Sequence, residues 1–591
     1  MKTVTNYRIG SNPARKSARS ARRSLNAAAS TFEPLEGRVM FSTYTVTSLA
    51  DVLPSAPNYD GTLRWAVQQA DNDAAKGLGP DTINFASKVK GTITLLHEGL
   101  VLNGGTTTVD GPGASVLSVS GNHDTSDFVI EGAKTNATIS GLTLTEAKYS
   151  AIQNFGSRLT LDAVTFSSDS GGDGGGLYNS GTAVVVDSYF PDDSAASFGG
   201  SGYDDGGAIY SSGSLTVTGT YFASDIATNN GGGIYNAGGK VTINGGSEFV
   251  DEVAAVGGGI YNKSGGVAVT GGVFGGDSST ASVNGGGGIA NFGTLTATSC
   301  SLYGNAAHAG GDIFNGAGGT ATVNSTYLDT SSAKSGGGAG IFNAGALSAN
   351  GDLFSGDTAT GGSGGAIFNN AGGSAIVTNA NITDDSAKGE AGGGIFNAGK
   401  LALTDSTLSS DSAKAGGGLY NFSSAKIVNS TFSGDSASGD GGGIFNDGGL
   451  YVYDSTIARN SAASAGGIFQ SAFALLDNTI VDLNSAASAD MGVEGSLSSA
   501  SGYNLIGNGT GMTGIFNGVN GNQVGTAAKP INALLGPLTN NGGPTPTMLP
   551  LKGSPAINRG SNALIPAGLS TDQRGYARVD DGIVDIGAVE T

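Results

Sequence analysis

The sequence predicts an all-β fold, a right-handed parallel β-helix (solenoid) with an N-terminal capping helix. A glycine-led phrase occurs twelve times between Gly174 and Gln470 at intervals of about 26 residues, as in GGGIYN at 231–236 and GGGIFN at 392–397. The apolar runs that follow each copy alternate with period two, and Gly, Ser, Asn and Asp separate them as turns require. A fixed period of this length is typical of a solenoid, in which each repeat contacts only its neighbours.

The repeat at 392–415 contains three strand-like runs, which are Ile395–Asn397, Leu401–Thr404 and Thr407–Ser409. We expect each run to pair with its copy in the next repeat, about 4.8 Å away. The residue before the aromatic position is Ile or Leu in all twelve copies, which predicts an inward aliphatic stack. The closing residue is Asn in ten of the twelve, and stacked amides of this kind hydrogen-bond to one another.

Residues 43–160 are predicted to form the N-terminal cap and the first coils. Four apolar residues recur at i, i+3, i+4 and i+7, the spacing of one helix face: Leu63, Ala66, Val67 and Ala70. Asp60 or Thr62 is expected to cap this helix. Its predicted role is to cover the first coil, because an open solenoid end exposes apolar core and unpaired strand edge.

Composition and charge exclude several classes of protein. The chain has 591 residues, 104 of them Gly, and a formal net charge of −20. Because the first 23 residues carry seven Lys or Arg and no acid, the rest is still more acidic, which argues against a nucleic-acid partner. A single cysteine, Cys300, excludes an internal disulfide framework. No apolar run reaches 18 residues, so we expect no transmembrane segment.

The two ends of the chain carry further signals. Residues 1–42 are predicted to be a largely disordered basic leader, and FEPLEGRVMFS at 32–42 resembles the LEPR-XLL sorting motif of exported bacterial proteins. Residues 161–486 hold the repeats, whose GG-x-[IL]-[FY]-N phrase resembles the polymorphic outer-membrane protein repeat, a family with roles in adhesion. Residues 487–591 resemble the choice-of-anchor Q domain of bacterial surface proteins, through GYNLIGNGTG at 502–511 and the stretches 534–561 and 571–590. These resemblances imply a secreted or cell-surface protein of the pectate lyase-like superfold.

An acidic residue recurs in the turn after the third strand of each repeat. The aspartates in this series are Asp225, Asp251, Asp277, Asp329, Asp357, Asp385, Asp411 and Asp435, and Asn305, Asn460 and Asn484 continue it. Neighbouring carboxylates about 5 Å apart form a candidate calcium site, for which Asp385, Asp411 and Asp435 are the candidate ligands. The alternative is a solvated turn in which Asp is chosen for Asx-turn geometry. Calcium is the one candidate cofactor.

An aromatic stripe accompanies the aliphatic stack, at Tyr178, Tyr210, Tyr235, Tyr261, Phe314, Phe342, Phe368, Phe396, Tyr420, Phe445 and Phe469. An exposed stripe would stack on sugar rings, and Tyr235, Tyr261, Phe396 and Tyr420 are the candidate ligand-binding residues. The alternative is a packing ladder shielded by glycine-rich turns. Large exposed apolar patches usually mark binding sites, so burial distinguishes the two.

These observations favour an exported cell-surface protein with a structural or adhesive role, which binds extracellular polysaccharide or neighbouring cell surfaces. The alternative is a calcium-dependent, pectate-type polysaccharide lyase or a glycoside hydrolase. No catalytic residue is identified, because His97, His123 and His308 are isolated and only Arg158 and Arg459 are arginines between residues 150 and 550. A β-helix does not by itself imply catalysis. The oligomeric state is not indicated.

Overall fold

The computed structural model describes residues 41–196, 204–486 and 489–591. The basic leader and all but Phe41 and Ser42 of the sorting motif lie outside these residues. The described chain forms a parallel β-helix of four sheets, named S1 to S4 in the order in which a repeat passes through them; S4 has strands only in the coils between Ser170 and Ser464. All pairings between the strands of these sheets are parallel, and each strand pairs with its copies in the coils before and after. The predicted fold class is therefore confirmed.

The strands have the following bounds. S1 comprises Leu100–Asn103, Phe128–Glu131, Ile152–Phe155, Leu177–Asn179, Ile209–Ser211, Ile234–Asn236, Ile260–Asn262, Ile289–Asn291, Ile313–Asn315, Ile341–Asn343, Ile367–Asn369, Ile395–Asn397, Leu419–Asn421, Ile444–Asn446, Ile468–Gln470 and Met491–Val493. S2 comprises Ser42–Val46, Asp81–Phe85, Thr106–Asp110, Asn136–Ser140, Arg158–Asp162, Thr182–Val186, Ser214–Thr218, Lys240–Asn244, Gly266–Thr270, Thr294–Thr298, Thr320–Asn324, Ala346–Asn350, Ser374–Thr378, Lys400–Thr404, Ser424–Val428, Gly449–Tyr453, Phe473–Asp477 and Ser496–Leu497. S3 comprises Gly91–Thr94, Leu117–Ser120, Thr143–Thr145, Thr165–Ser167, Tyr189–Pro191, Tyr221–Ala223, Glu248–Val250, Val273–Gly275, Ser301–Tyr303, Tyr327–Asp329, Leu353–Ser355, Asn381–Thr383, Thr407–Ser409, Thr431–Ser433, Thr456–Ala458, Ile480–Asp482, Leu505–Ile506 and Gln523–Val524. S4 comprises Ser170–Gly171, Ser194–Ala195, Ile226–Ala227, Val253–Ala254, Ser278–Ser279, Ala306–Ala309, Ser332–Gly337, Thr358–Ala359, Ser386–Ala387, Ser412–Ala413, Ser436–Asp440 and Ser461–Ser464.

The helix α1, Leu63–Ala75, packs on the first strands as predicted. Thr62 rather than Asp60 is the N-cap, and its hydroxyl accepts a hydrogen bond from the Trp65 N–H at 3.1 Å. The four predicted apolar residues are buried. Asp73 ties the helix to the first S2 strand, because its carboxylate accepts hydrogen bonds from the Ser42 and Tyr44 hydroxyls at 2.8 and 2.7 Å.

The predicted stacks fill the interior. Ile234 pairs with Ile260 and Ile260 with Ile289, and all three are fully buried. The closing amides form the predicted ladder, in which the Nδ2 of Asn343 donates to the Oδ1 of Asn369 at 2.8 Å and the same bond recurs coil after coil. A stack of phenylalanines inside S3 was not predicted; its rings lie 4.3–4.9 Å apart at Phe166, Phe190, Phe222, Phe249 and Phe274. S4 was also missed, since most of its strands have only two residues.

The C-terminal residues 534–591, which we name the strap, lie back along the rod over S3. The Thr407 hydroxyl donates to the Pro546 carbonyl at 2.6 Å, and the Thr431 hydroxyl donates to the Gln573 amide oxygen at 2.6 Å. A short 3-10 helix, Asn562–Leu564, lies within the strap. The S3 residues Thr407 and Thr431 are buried as a result. The domain boundaries given above stay a prediction.

Candidate functional site

The aromatic stripe forms one continuous stack along S1. Ring centroids of successive coils lie 4.7–5.7 Å apart from Tyr178 to Phe469, with Phe292 taking the place of Ala290 in the stack. The four candidate residues belong to it: Tyr235 is buried, whereas Tyr261, Phe396 and Tyr420 are half-buried. Where the rings are nearly parallel, each ring face is covered by its neighbours, so the stack presents mainly ring edges to solvent. The stack is therefore a packing ladder with an open edge.

One aromatic ring stands outside this stack and opens a cleft. Phe422 follows the closing Asn421, at a position where most repeats have a small or polar residue, and 56% of its surface is exposed. Within the described chain it has no ring partner in the stack. Together with Phe396 and Tyr420 it lines a cleft of about 490 Å³. The cleft therefore brings together two of the predicted candidates and one aromatic residue that we did not predict.

Charged side chains complete the cleft. Glu390, Lys414 and Asp440 line it beside the aromatic residues. Their backbones are held in place because the Lys414 N–H donates to the Glu390 carbonyl at 2.7 Å and the Gly439 N–H donates to the Lys414 carbonyl at 2.8 Å. The ion pairs of the described residues do not include Lys414, so its ammonium group is available to a ligand.

The cleft also keeps a hydroxyl donor. Burial, and then the charge of Asp447, raises the pKa of Tyr420, so its phenol stays protonated. The cleft thus offers an aromatic surface, a hydroxyl, an ammonium and two carboxylates within one small volume. A ligand pocket with apolar walls and a few polar groups of this kind orients its ligand through those groups. The sequence could have indicated Phe422, because most repeats have a small or polar residue directly after the closing Asn.

The predicted calcium ligands have a different environment. Asp385, Asp411 and Asp435 are fully buried. The Asp385 N–H donates to the Asp411 Oδ1 at 2.9 Å, and the Asp411 N–H donates to the Asp435 Oδ1 at 3.1 Å. The Oδ2 atoms of all three have no hydrogen-bond partner among the described residues. The alternative of a solvated turn is therefore wrong for these residues. The series itself shifts at two places, since Glu252 and Ser331 occupy it where Asp251 and Asp329 were predicted.

Asparagine at the same position shows what the second oxygen faces. The Nδ2 of Asn460 donates to the Phe432 carbonyl of the preceding coil at 3.1 Å, and the Nδ2 of Asn484 donates to the Ile457 carbonyl at 3.0 Å. By analogy with these amides, we expect an Asp Oδ2 at this place to face the same carbonyl oxygen, which a protonated carboxyl satisfies by donating a hydrogen bond. Burial raises the pKa of Asp385 and Asp411 and raises that of Asp435 to about 8.

This arrangement does not fit calcium. The ion favours six to eight oxygen ligands, whereas here one oxygen of each carboxyl already accepts a hydrogen bond from a backbone N–H. No group of three or more His, Cys, Asp and Glu within the described ranges is placed to hold a metal ion. The sequence-based expectation of calcium binding is tested by melting with calcium and with chelator, and none of the proposals below depends on it.

The fold and the cleft define a class: a long parallel β-helix with an internal polar ladder, an aromatic ladder that is open along one edge, and a cleft at its side. The chain matches no protein-family model. No curated protein sequence matches it either. None of its described helices is long and apolar enough to span a membrane.

Solved structures with some similarity are also β-helical proteins. The surface adhesin PfbA of Streptococcus pneumoniae matches 68% of this chain and 90% of its own at 14% identity, with a TM-score of 0.25. A mannuronic-acid-specific family 6 polysaccharide lyase from human gut microbiota matches 73% of this chain and 85% of its own at 12% identity, with a TM-score of 0.23. The PL6-family alginate lyase AlyGC matches 82% of this chain and all of its own at 10% identity, with a TM-score of 0.23. Likenesses this distant carry no argument about function, and the fold assignment rests on the strand pairing.

Proposed function

We propose that this protein is an exported β-helical rod with a structural or adhesive role at the cell surface, and that the cleft at Phe396, Tyr420 and Phe422 binds extracellular polysaccharide. The observation that carries the proposal is the exposed ring of Phe422 beside Lys414, Glu390 and Asp440 in one cleft. A pyranose ring has an apolar face and a rim of hydroxyl groups. The free aromatic surface suits the first and the charged side chains suit the second.

The rest of the rod supports a binding role. The edge of the aromatic ladder continues away from the cleft along S1, so a polymer bound at Phe422 has a straight surface to follow. A solenoid presents such an extended surface because it grows along a single axis. Export and surface display are implied by the resemblances at the two ends of the chain and stay part of the proposal.

The test is a binding assay with two matched variants. Phe422→Ser is expected to weaken binding of the recognised polysaccharide by about fivefold or more, as truncation of an aromatic anchor does. Phe155→Ser is the control, because Phe155 is 45% exposed on the same sheet ten coils away. The panel comprises pectate, alginate and neutral glucans and mannans, measured by affinity electrophoresis. Equal binding by the two variants and the parent protein would disprove the role of the cleft.

The same panel tests the enzymatic alternative. Incubation with pectate and alginate, with and without added calcium, is expected to release no unsaturated product, measured by ultraviolet absorbance. The appearance of that absorbance would identify a lyase. New reducing ends without the absorbance would identify a hydrolase. Binding without either product supports the adhesive role.

A further inference from the structure

The outward side of S3 is divided into a covered part and an open part. The strap covers the strands from Thr407–Ser409 onward, where Thr407, Thr431 and Thr456 are buried. Among the residues that the structure describes, nothing of this kind covers the six strands from Tyr189–Pro191 to Tyr327–Asp329, and we name their outward side the open S3 face. Four tyrosines on this face are 36–42% exposed, at Tyr189, Tyr221, Tyr303 and Tyr327.

The open S3 face is acidic. Its six strands contain no Lys or Arg. Four exposed carboxylates lie on or beside these strands, at Asp187, Asp192, Glu248 and Asp251. None of them has an ion-pair partner within 4.0 Å among the residues that the structure describes. The face therefore combines aromatic rings with unpaired negative charge.

One ring and one carboxylate of this face, those of Tyr303 and Asp251, converge over the coil that holds Gly275 and Gly276. The Tyr303 ring lies across Gly275, where an added Cβ would come within 2.6 Å of the ring. The Asp251 carboxylate lies against Gly276 from the opposite side, where a Cβ would overlap its Oδ1. The Tyr189 and Tyr221 rings are 5.5 Å apart and tilted by 38°, so their faces do not cover each other as those of the S1 stack do. Glycines at 275 and 276 thus make room for a cluster of tyrosine and carboxylate groups.

The covered part of S3 holds a cationic side chain at its edge. The strap brings Arg578 to the corner between S2 and S3, where its Nη2 lies 3.2 Å from the Asp454 Oδ1 and also donates to the Asp585 and Gly587 carbonyls. Asp187 occupies the same corner as Asp454 ten coils earlier, directly after an S2 strand and with positive φ like Asp454. Under the strap, Asp454 is paired with an arginine, whereas Asp187 on the open S3 face has no ion-pair partner in the described part of the chain.

We propose that the open S3 face binds an extended, arginine-bearing polypeptide segment of another protein. Guanidinium groups pair with carboxylates and stack on aromatic faces, which are the two features that this face combines. The strap supplies the precedent, because it is an extended segment that lies on the same sheet with its arginine against the same corner. A polysaccharide without cationic groups would leave the carboxylates unpaired, so the observations favour a basic peptide.

The probe is a labelled peptide of about ten residues in which arginine alternates with glycine, compared with the same peptide carrying neutral citrulline. Fluorescence anisotropy is expected to show binding that is at least about tenfold weaker for the citrulline peptide and that weakens with salt. The double variant Glu248→Gln/Asp251→Asn is expected to lose affinity about fivefold or more. Tyr303→Ser is expected to reduce affinity at unchanged charge.

The control removes the same charge elsewhere. Glu98→Gln/Asp110→Asn changes two exposed acids near the N-terminal end and is expected to retain the parent affinity. All substituted side chains are exposed, so thermal melts should match the parent protein. Equal loss in the two double variants would show an effect of net charge alone and overturn the proposal, as would equal binding of the citrulline peptide. Stronger binding of a glucosamine polymer than of the arginine peptide would show that the partner is a glycan. Phe422→Ser should leave peptide binding unchanged, which separates this face from the cleft.

Discussion

Replacing Asp435 by Asn is expected to leave the stability of the rod unchanged in acid and to raise it in base. Asp435 is fully buried, its Oδ1 accepts the Asp411 N–H at 3.1 Å, and its Oδ2 has no donor within the described chain. Asn460, one coil later, fits the same place with its amide donating to the Phe432 carbonyl. We expect the new amide at 435 to donate in the same way to the carbonyl of Leu408.

The size of the stability difference follows from the pKa of Asp435 in the folded and unfolded states. Burial raises the pKa of Asp435 to about 8, against about 3.9 in the unfolded chain. Because the folded state binds the proton more tightly, the contribution of Asp435 to stability is complete below about pH 4 and is lost as the pH rises to about 8. About four pH units at about 1.4 kcal/mol each give a loss of about 5 kcal/mol, which the amide avoids.

The assay is guanidinium unfolding followed by far-UV circular dichroism at roughly pH 4, 6 and 8.5. The midpoint of the parent protein is expected to fall across this range, and that of Asp435→Asn to fall less, so that the two separate only above pH 4. Asp384→Asn is the matched control, because it removes one charge at an exposed site next to the ladder. A variant destabilised equally at every pH would show that the buried carboxyl is ionised and paired, and would refute the reasoning.

Three further predictions concern the ladders and the strap. Asn343→Ala removes two buried hydrogen bonds between side-chain amides, and it is expected to lower the free energy of unfolding by about 2–3 kcal/mol, measured by chemical denaturation. Arg578→Met leaves Asp454 buried without its partner and is expected to cost about 3–5 kcal/mol and to speed proteolysis of the strap, whereas adding Asp454→Asn should restore part of the loss. Excess calcium and excess chelator are expected to give the same melting midpoint, because the ladder oxygens face protein groups.

The repeat determines the parts of the fold that follow from spacing alone. Residues one period apart must pair, so the stacking of Ile234 on Ile260 and the ladder through Asn343 follow once the strands are recognised. The first and third strands of the 392–415 repeat have the predicted bounds, and the second begins one residue earlier, at Lys400. Local alternation and turn residues were sufficient here because each coil contacts only its neighbours.

The spacing of the repeats did not predict whether a side chain in a turn points into the interior or toward solvent. The spacing of Asp385, Asp411 and Asp435 is the same whether their side chains face solvent or the interior. Each of them is followed directly by an S4 strand, and their carboxyls are buried. Strands of two residues carry no alternation pattern, so S4 left no signal in the sequence. The strap was unpredictable for another reason: its contacts, such as Thr431 with Gln573, join residues more than a hundred positions apart without any repeat to relate them.

Burial of the acidic series also changes the meaning of the net charge. The formal value of −20 counts every carboxyl as ionised, yet Asp277, Asp385 and Asp411 have pKa values raised by burial and face backbone groups instead of cations. Carboxyls whose pKa values are raised are less ionised and contribute less to the field, so more of the negative potential outside the rod comes from the exposed acids. A cation is therefore attracted to the edges of S3 rather than to the repeated Asp position, and Arg578 of the strap is bound at such an edge, at Asp454.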